Sequence, residues 1–220
     1  MSNLTLWDSV SKTDPAFTKK VTQRGGYTSI SPQYQLKEAT NVFGSYGVGF
    51  GFESIEFDFE LAEATKLVLV KAVFFYVLDG KRTTFPIMNS WSFMQGSKVD
   101  ADFAKKAETN TMSKALSKLG FSADVFMGQF DDPEYVDMVK NEFTLEKADD
   151  KSEEQARQQL AYRDECMKQI NALKDAKTPS ELKGLYGDFF RRATTRNDVA
   201  HIARLNKVRD EKLKTNEVKK

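Results

Sequence analysis

Lysines on one predicted helix carry the clearest chemistry in this sequence. Lys105, Lys106 and Lys114 fall within Asp100 to Gly128, DADFAKKAETNTMSKALSKLGFSADVFMG. At helical spacing, Ala104, Ala107, Thr111, Met112, Ala115, Leu116 and Leu119 share one small apolar side. Lys106, Asn110, Ser113, Lys114 and Ser117 share the other. Ammonium groups along a polar, non-acidic helix face can meet successive phosphates, although each lysine is also compatible with plain solvation. Arg24 stands beside Gly25-Gly26 as either a loop charge or a phosphate clamp, because paired glycines let another backbone come close. Lys81 and Arg82 follow the turn dipeptide Asp79-Gly80, and Lys98 lies in the loop Gly96-Ser97-Lys98. Lys71 interrupts one face of a long apolar run. A lysine there must be paired or snorkel, and it marks where that face opens toward a groove.

Other chemistries find little material. The chain has one histidine, His201, and one cysteine, Cys166, so neither a disulfide framework nor a thiolate metal site can be assembled. His201 lies between two apolar positions with no partner motif and reads as a surface or rim residue rather than a ligand. The adjacent Asp131-Asp132 invites a metal reading, but no second carboxylate cluster or histidine supports it. The pair reads instead as a turn and helix cap before Pro133. No GxxxxGK(S/T) loop occurs, and the glycines at 44, 47, 49 and 51 follow a helix and enter a strand, the reverse of a dinucleotide fingerprint. No cofactor is expected, and binding is a better class than catalysis.

The elements that must position these residues follow from pattern. Residues 1–20 form a polar arm with Trp7 and Phe17 that either packs on the core or reaches a neighbour. Residues 21–30, VTQRGGYTSI, read as a short strand interrupted at the glycines. Ser31-Pro32 opens a helix that Gly44 ends. Alternation from Phe50 to Phe59 predicts a strand with one apolar face, and its change of phase after Phe52 predicts a bulge near Glu53. Residues 66–78 are apolar on both faces and predict a central strand covered on both sides. A return strand follows over 82–93, in which Pro86 argues for a sheet edge or a bulge. The lysine helix comes next, capped by Asp100 or Asp102 and stopped at Gly120.

From about residue 146 glycine becomes scarce and strand patterns vanish. Helices over 151–175, 178–192 and 196–214 predict a small antiparallel bundle, with a disordered tail over 215–220. The expected organisation is an arm (1–20), an α+β domain (21–145), a helical domain (146–214) and the tail. The chain as a whole carries a formal net charge of +1. Residues 1–145 hold 15 Lys+Arg against 18 Asp+Glu and the remainder 18 against 14, so nucleic acid on the first part would need a focused groove. With no apolar segment of membrane-spanning length and a polar N-terminus unlike a secretory signal, a soluble, intracellular protein is expected.

Three stretches, RGGYTSISPQYQLKEATNVFGSYG, LVLVKAVFFYVLDGKR and KKAETNTMSKALSKLGFSADVFMGQFDDPEYV, occur in an order that resembles the annealing domain of the Rad-fifty-two/Sak superfamily of single-strand annealing proteins. The phage-encoded branch is the most similar, over about residues 20–138. The resemblance implies a β-β-β-α core that assembles into a homo-oligomeric ring or spiral. It also implies a basic groove that holds single-stranded DNA with bases accessible, and annealing without nucleotide hydrolysis, in the cytoplasm of a bacterial host. The family's arginine near the glycines corresponds to Arg24, and its basic helix positions to Lys105, Lys106 and Lys114. Its basic hairpin-tip position is shifted here to Lys81 and Arg82, a departure from the family pattern, and Lys98 is the weaker candidate for a second strand site. Two further helix positions that are often basic in the family are Ser113 and Ser117 here. By the same analogy, the C-terminal helices would contact a host single-strand-binding protein or a partner exonuclease. The rivals are a non-annealing single-strand-binding protein that protects rather than pairs, and, more distantly, a carboxylate nuclease built on Asp131 and Asp132.

Overall fold

β-Branched and aromatic residues dominate 67–78, and such side chains suit a pleated backbone. In the computed structural model, which describes residues 4–23 and 25–217, this segment is the central strand of an α+β fold. The chain divides into two compact units, Met1–Gln129 and Phe130–Lys220.

The first unit begins with helix α1 (Thr5–Val10) and a hairpin of strands β1 (Thr18–Val21) and β2 (Tyr27–Ile30), followed by helix α2 (Pro32–Phe43). Strand β3 (Phe50–Asp58), a short helix α3 (Ala62–Thr65), β4 (Leu67–Leu78) and β5 (Lys81–Ser92) come next, with β3–β4–β5 forming an antiparallel sheet. A two-stranded hairpin of β6 (Met94–Gln95) and β7 (Lys98–Val99) leads into helix α4 (Phe103–Ser117), and a short helix α5 (Ala123–Phe126) closes the unit. The segment 21–30 is thus not one interrupted strand. Gly25 and Gly26, both at positive φ, turn the chain so that Val21 pairs with Tyr27. The bulge falls where the phase change places it, because pairing slips between Phe52 and Ser54. Pro86 lies in the edge strand β5, where its missing N–H costs no ladder bond on the open side.

Helices α2 and α4 pack on one face of the sheet. Ala107, Thr111 and Ala115 are fully buried there, and their small side chains let α4 approach Ala72, Phe74 and Ile87 closely. Full burial of Phe74 and of Leu116 contributes roughly 1.5–3 kcal/mol each. The expectation that β4 is covered on both faces does not hold. Val68, Val70, Ala72 and Phe74 are buried, whereas Leu67 and Lys71 are exposed on the opposite face, along with Met88 of β5. Phe75 is covered by the Arg82 guanidinium, 3.9 Å above its ring.

The N-terminal segment packs on its own chain. Val10 joins the core, its carbonyl accepts from the Ser122 N–H at 3.1 Å, and the buried Asp124 carboxylate takes the Thr13 N–H at 2.8 Å and its hydroxyl at 2.7 Å. Trp7 rests on Gly120, which ends the turn after α4 at φ +98°. Asp102 precedes α4, while the Asp100 carboxylate takes the Asp102 N–H at 3.1 Å.

The second unit comprises α6 (Pro133–Lys147), α7 (Lys151–Asp175), α8 (Pro179–Thr195) and α9 (Val199–Glu217). The last three are the helices that periodicity predicts. The unit begins ahead of the compositional change near residue 146 because α6 belongs with it. Asp132 caps α6, accepting from the Glu134 N–H at 3.0 Å. Of the tail over 215–220, the backbone to Glu217 continues α9, and the rest lies outside the described residues. Leu173, Leu182, Ala193 and Leu205 form the core. His201 is buried rather than on the rim, at 3% exposure, with Nε2 2.9 Å from Gln169 Oε1. That burial, offset in part by Asp198, holds its imidazole below the usual histidine range.

Candidate functional site

Strand β2 and helix α4 stand as the two banks of a groove in the first unit, with a volume of about 540 Å3. Tyr27, Thr28, Ser29 and Ile30 come from β2, Pro32 and Gln35 from the start of α2, Trp91 from β5 and Phe126 from α5. Helix α4 contributes Lys105, Lys106, Thr109, Asn110 and Ser113. The banks follow from local sequence. The Gly25-Gly26 turn folds β2 back, Ser31-Pro32 starts α2, and the small inner face of α4 seats that helix on the sheet with its lysines outward.

The groove carries two cations and no lining carboxylate among the described residues. Lys105 is exposed and makes no ion pair among those residues. Lys106 pairs with Asp100 at 2.7 Å, and this hydrogen bond draws the Asp100 carboxyl below the usual range. Tyr27 and Phe126 leave 53% and 57% of their surface in solvent, so exposed flat apolar faces and ammonium groups line the same groove. That combination suits a strand of planar rings joined by anionic links.

The other sequence candidates scatter. Lys114 lies on α4 but outside the groove lining, donating to Asn89 Oδ1 on β5 at 3.0 Å. Lys71 and Arg82 occupy the opposite face of the sheet. There Lys71 pairs with Asp58 at 2.5 Å and Arg82 with Glu53 at 3.3 Å. The Lys71–Asp58 hydrogen bond lowers the carboxyl and raises the ammonium from their ordinary values. Lys71 is thus exposed and paired, not held in a face that opens toward this groove. Lys81 is exposed at the β4–β5 turn and Lys98 exposed in β7. Arg24 lies outside the described residues.

Pattern reading missed the groove's aromatics. Tyr27 follows the glycine turn directly, and that adjacency is a usable signal. Phe126 sits in an apolar stretch that reads as packing, and nothing in the sequence marks its exposure.

The second unit carries a cavity of about 360 Å3 lined by Glu134, Asp137, Tyr162, Gln169, Arg196 and His201, among others. Its charges are internally matched. Arg196 binds Glu134 and Asp137 and lies 4.6 Å over the Tyr162 ring, and the Tyr162 hydroxyl donates to Asp198 at 2.8 Å. Burial pushes the Asp132 carboxyl up, but hydrogen bonds from Thr195, the Glu134 N–H and Arg191 outweigh it and leave it lowered. Both Asp132 oxygens are thereby engaged in holding helices together. No group of three or more His, Cys, Asp or Glu is placed to hold a metal ion among the described residues, and no helix among them is long and apolar enough to cross a membrane.

A scan against models of known families finds no match, and a search of curated proteins finds none either.

Proposed function

We propose that the first unit binds single-stranded DNA in the groove between β2 and α4 and promotes annealing of complementary strands without nucleotide hydrolysis. The observation that carries this reading is the lining itself, which places Lys105 and Lys106 in one groove with the exposed rings of Tyr27 and Phe126. Phosphate contact through ammonium groups gives affinity that ignores sequence, and stacking on aromatic faces tolerates every base. Pairing of two strands supplies its own free energy, so no cofactor is needed.

The resemblance stated above extends the proposal to a homo-oligomeric ring or spiral. Both outer strands of the sheet, β3 and β5, end it with an open edge, and Met88 and Val99 expose 63% and 65% of their surface. Open edges and exposed apolar side chains favour self-association. The helical unit is assigned to protein partners, a host single-strand-binding protein or a partner exonuclease. A protein that binds the same groove but protects single strands is the second reading, and both readings share the groove.

Replacement of Lys105 and Lys106 together by alanine tests the groove. Loss of two phosphate contacts should reduce the slope of log affinity against log salt by about 1.4 for single-stranded DNA. The check is fluorescence anisotropy with a labelled oligonucleotide over a salt series. An unchanged slope and affinity would remove the groove from the account.

A further inference from the structure

The groove has a side recess whose chemistry differs from its own. A space of about 230 Å3 adjoins it, sharing Pro32, Gln35, Thr109 and Ser113 as a common wall. Leu36, Met112, Leu116 and the ring of Tyr46 make the recess largely apolar, and Glu108 is its single charged lining residue among the described residues. Gln35 lies at the junction. It is 2% exposed, yet its Nε2 has no hydrogen-bond partner among the described residues. The Thr28 hydroxyl, on the groove side, is likewise buried and unpartnered among them. Buried donors are normally satisfied, and two without partners along one cleft point to a ligand that supplies them.

We propose that this recess holds one nucleobase of the bound strand, with its edge on the Gln35 carboxamide and its face against Tyr46. This rests on the reading of the groove as a single-strand site. The lining separates base from phosphate. Phosphate presents only acceptors and negative charge, and Glu108 repels it, whereas both lysines stand on the groove side. A carboxamide offers a donor and an acceptor side by side, which matches the edge of a base. The Glu108 carboxylate can accept from an exocyclic amino group, as carboxylates do from cytosine N4. Burial, then the charge of Glu108, pushes the Tyr46 phenol up, so the ring facing the base stays neutral. A base seated there is withheld from pairing and fixes the register of the strand on the subunit.

The test compares a 25-nucleotide oligo(dC) with a backbone of the same length carrying abasic tetrahydrofuran units, each titrated into the full chain. The wild type should bind oligo(dC) more tightly. Gln35→Met, close in size, should weaken oligo(dC) binding about two- to tenfold and leave the abasic backbone unchanged. Tyr46→Leu, at a residue 52% exposed, should do the same without relying on a buried substitution. Equal losses on both ligands, or none on either, would overturn the base recess while leaving the groove intact. Failure of the wild type to bind either ligand would overturn the groove reading, and this proposal with it.

Discussion

Gly120→Val should destabilise the first unit by about 2–6 kcal/mol. Two costs add. Gly120 has φ +98°, where an L side chain meets backbone strain of roughly 1–3 kcal/mol. A Cβ at this position would also lie 2.8 Å from Trp7 Cδ2 and 2.9 Å from its Cα, and overpacking of that kind costs about 1–3 kcal/mol. The relief route is outward movement of α1, which would break the contacts of Val10 and Ser11 with the 120–124 loop. Trp7 and Trp91 are the only tryptophans and both lie in this unit, so urea unfolding followed by tryptophan emission reads it without interference from the helical unit. A midpoint shift worth less than about 0.5 kcal/mol, the range of an ordinary surface change, would contradict the packing of the N-terminal segment described above.

Joint replacement of Tyr27 and Phe126 by alanine should have a comparable effect on binding and almost none on folding. Both rings are more than half exposed, so their truncation removes little packing. Stacking of a base on an aromatic ring is worth about 1–3 kcal/mol, and loss of two such contacts should raise Kd at least about thirtyfold. The signature differs from that of the lysine pair. Loss of stacking lowers affinity at every salt concentration with the slope preserved, whereas loss of ammonium groups flattens the slope. Anisotropy titrations of both variants over one salt series distinguish the two. Unaltered affinity in the aromatic pair would mean that bases do not lie along this bank.

Much of the frame was legible because it is encoded locally. Asp79-Gly80, the apolar run of β4, the change of phase at Glu53 and the small face of α4 each fix an element by short-range rules. The failures share a different cause. Segment 21–30 reads as one strand until the pairing of Val21 with Tyr27 makes it a hairpin. The burial of His201 depends on Gln169, 32 residues away. Lys71 and Arg82 look equivalent to the helix lysines by charge, but strand parity places them on the face opposite α4, and which face α4 covers is decided only by tertiary packing. Gly49 shows the same limit. It reads as part of a glycine-aromatic strand entry, yet a Cβ there would lie 1.8 Å from the Phe43 carbonyl oxygen, a close approach no spacing rule reveals. Lys105 and Lys106 were readable from their place on one helix. The aromatics and Gln35 that line the groove with them come from β2, α2 and α5, and only the fold brings them together.

The central claim is tested most directly by mixing two complementary labelled oligonucleotides with the full chain, without nucleotide or divalent metal, at a protein mass fixed by light scattering. A large homo-oligomer that accelerates pairing, and loses that acceleration with Lys105 and Lys106 replaced, is the predicted result. A small species that binds single strands and slows their pairing would contradict annealing and leave a protective single-strand-binding protein in its place.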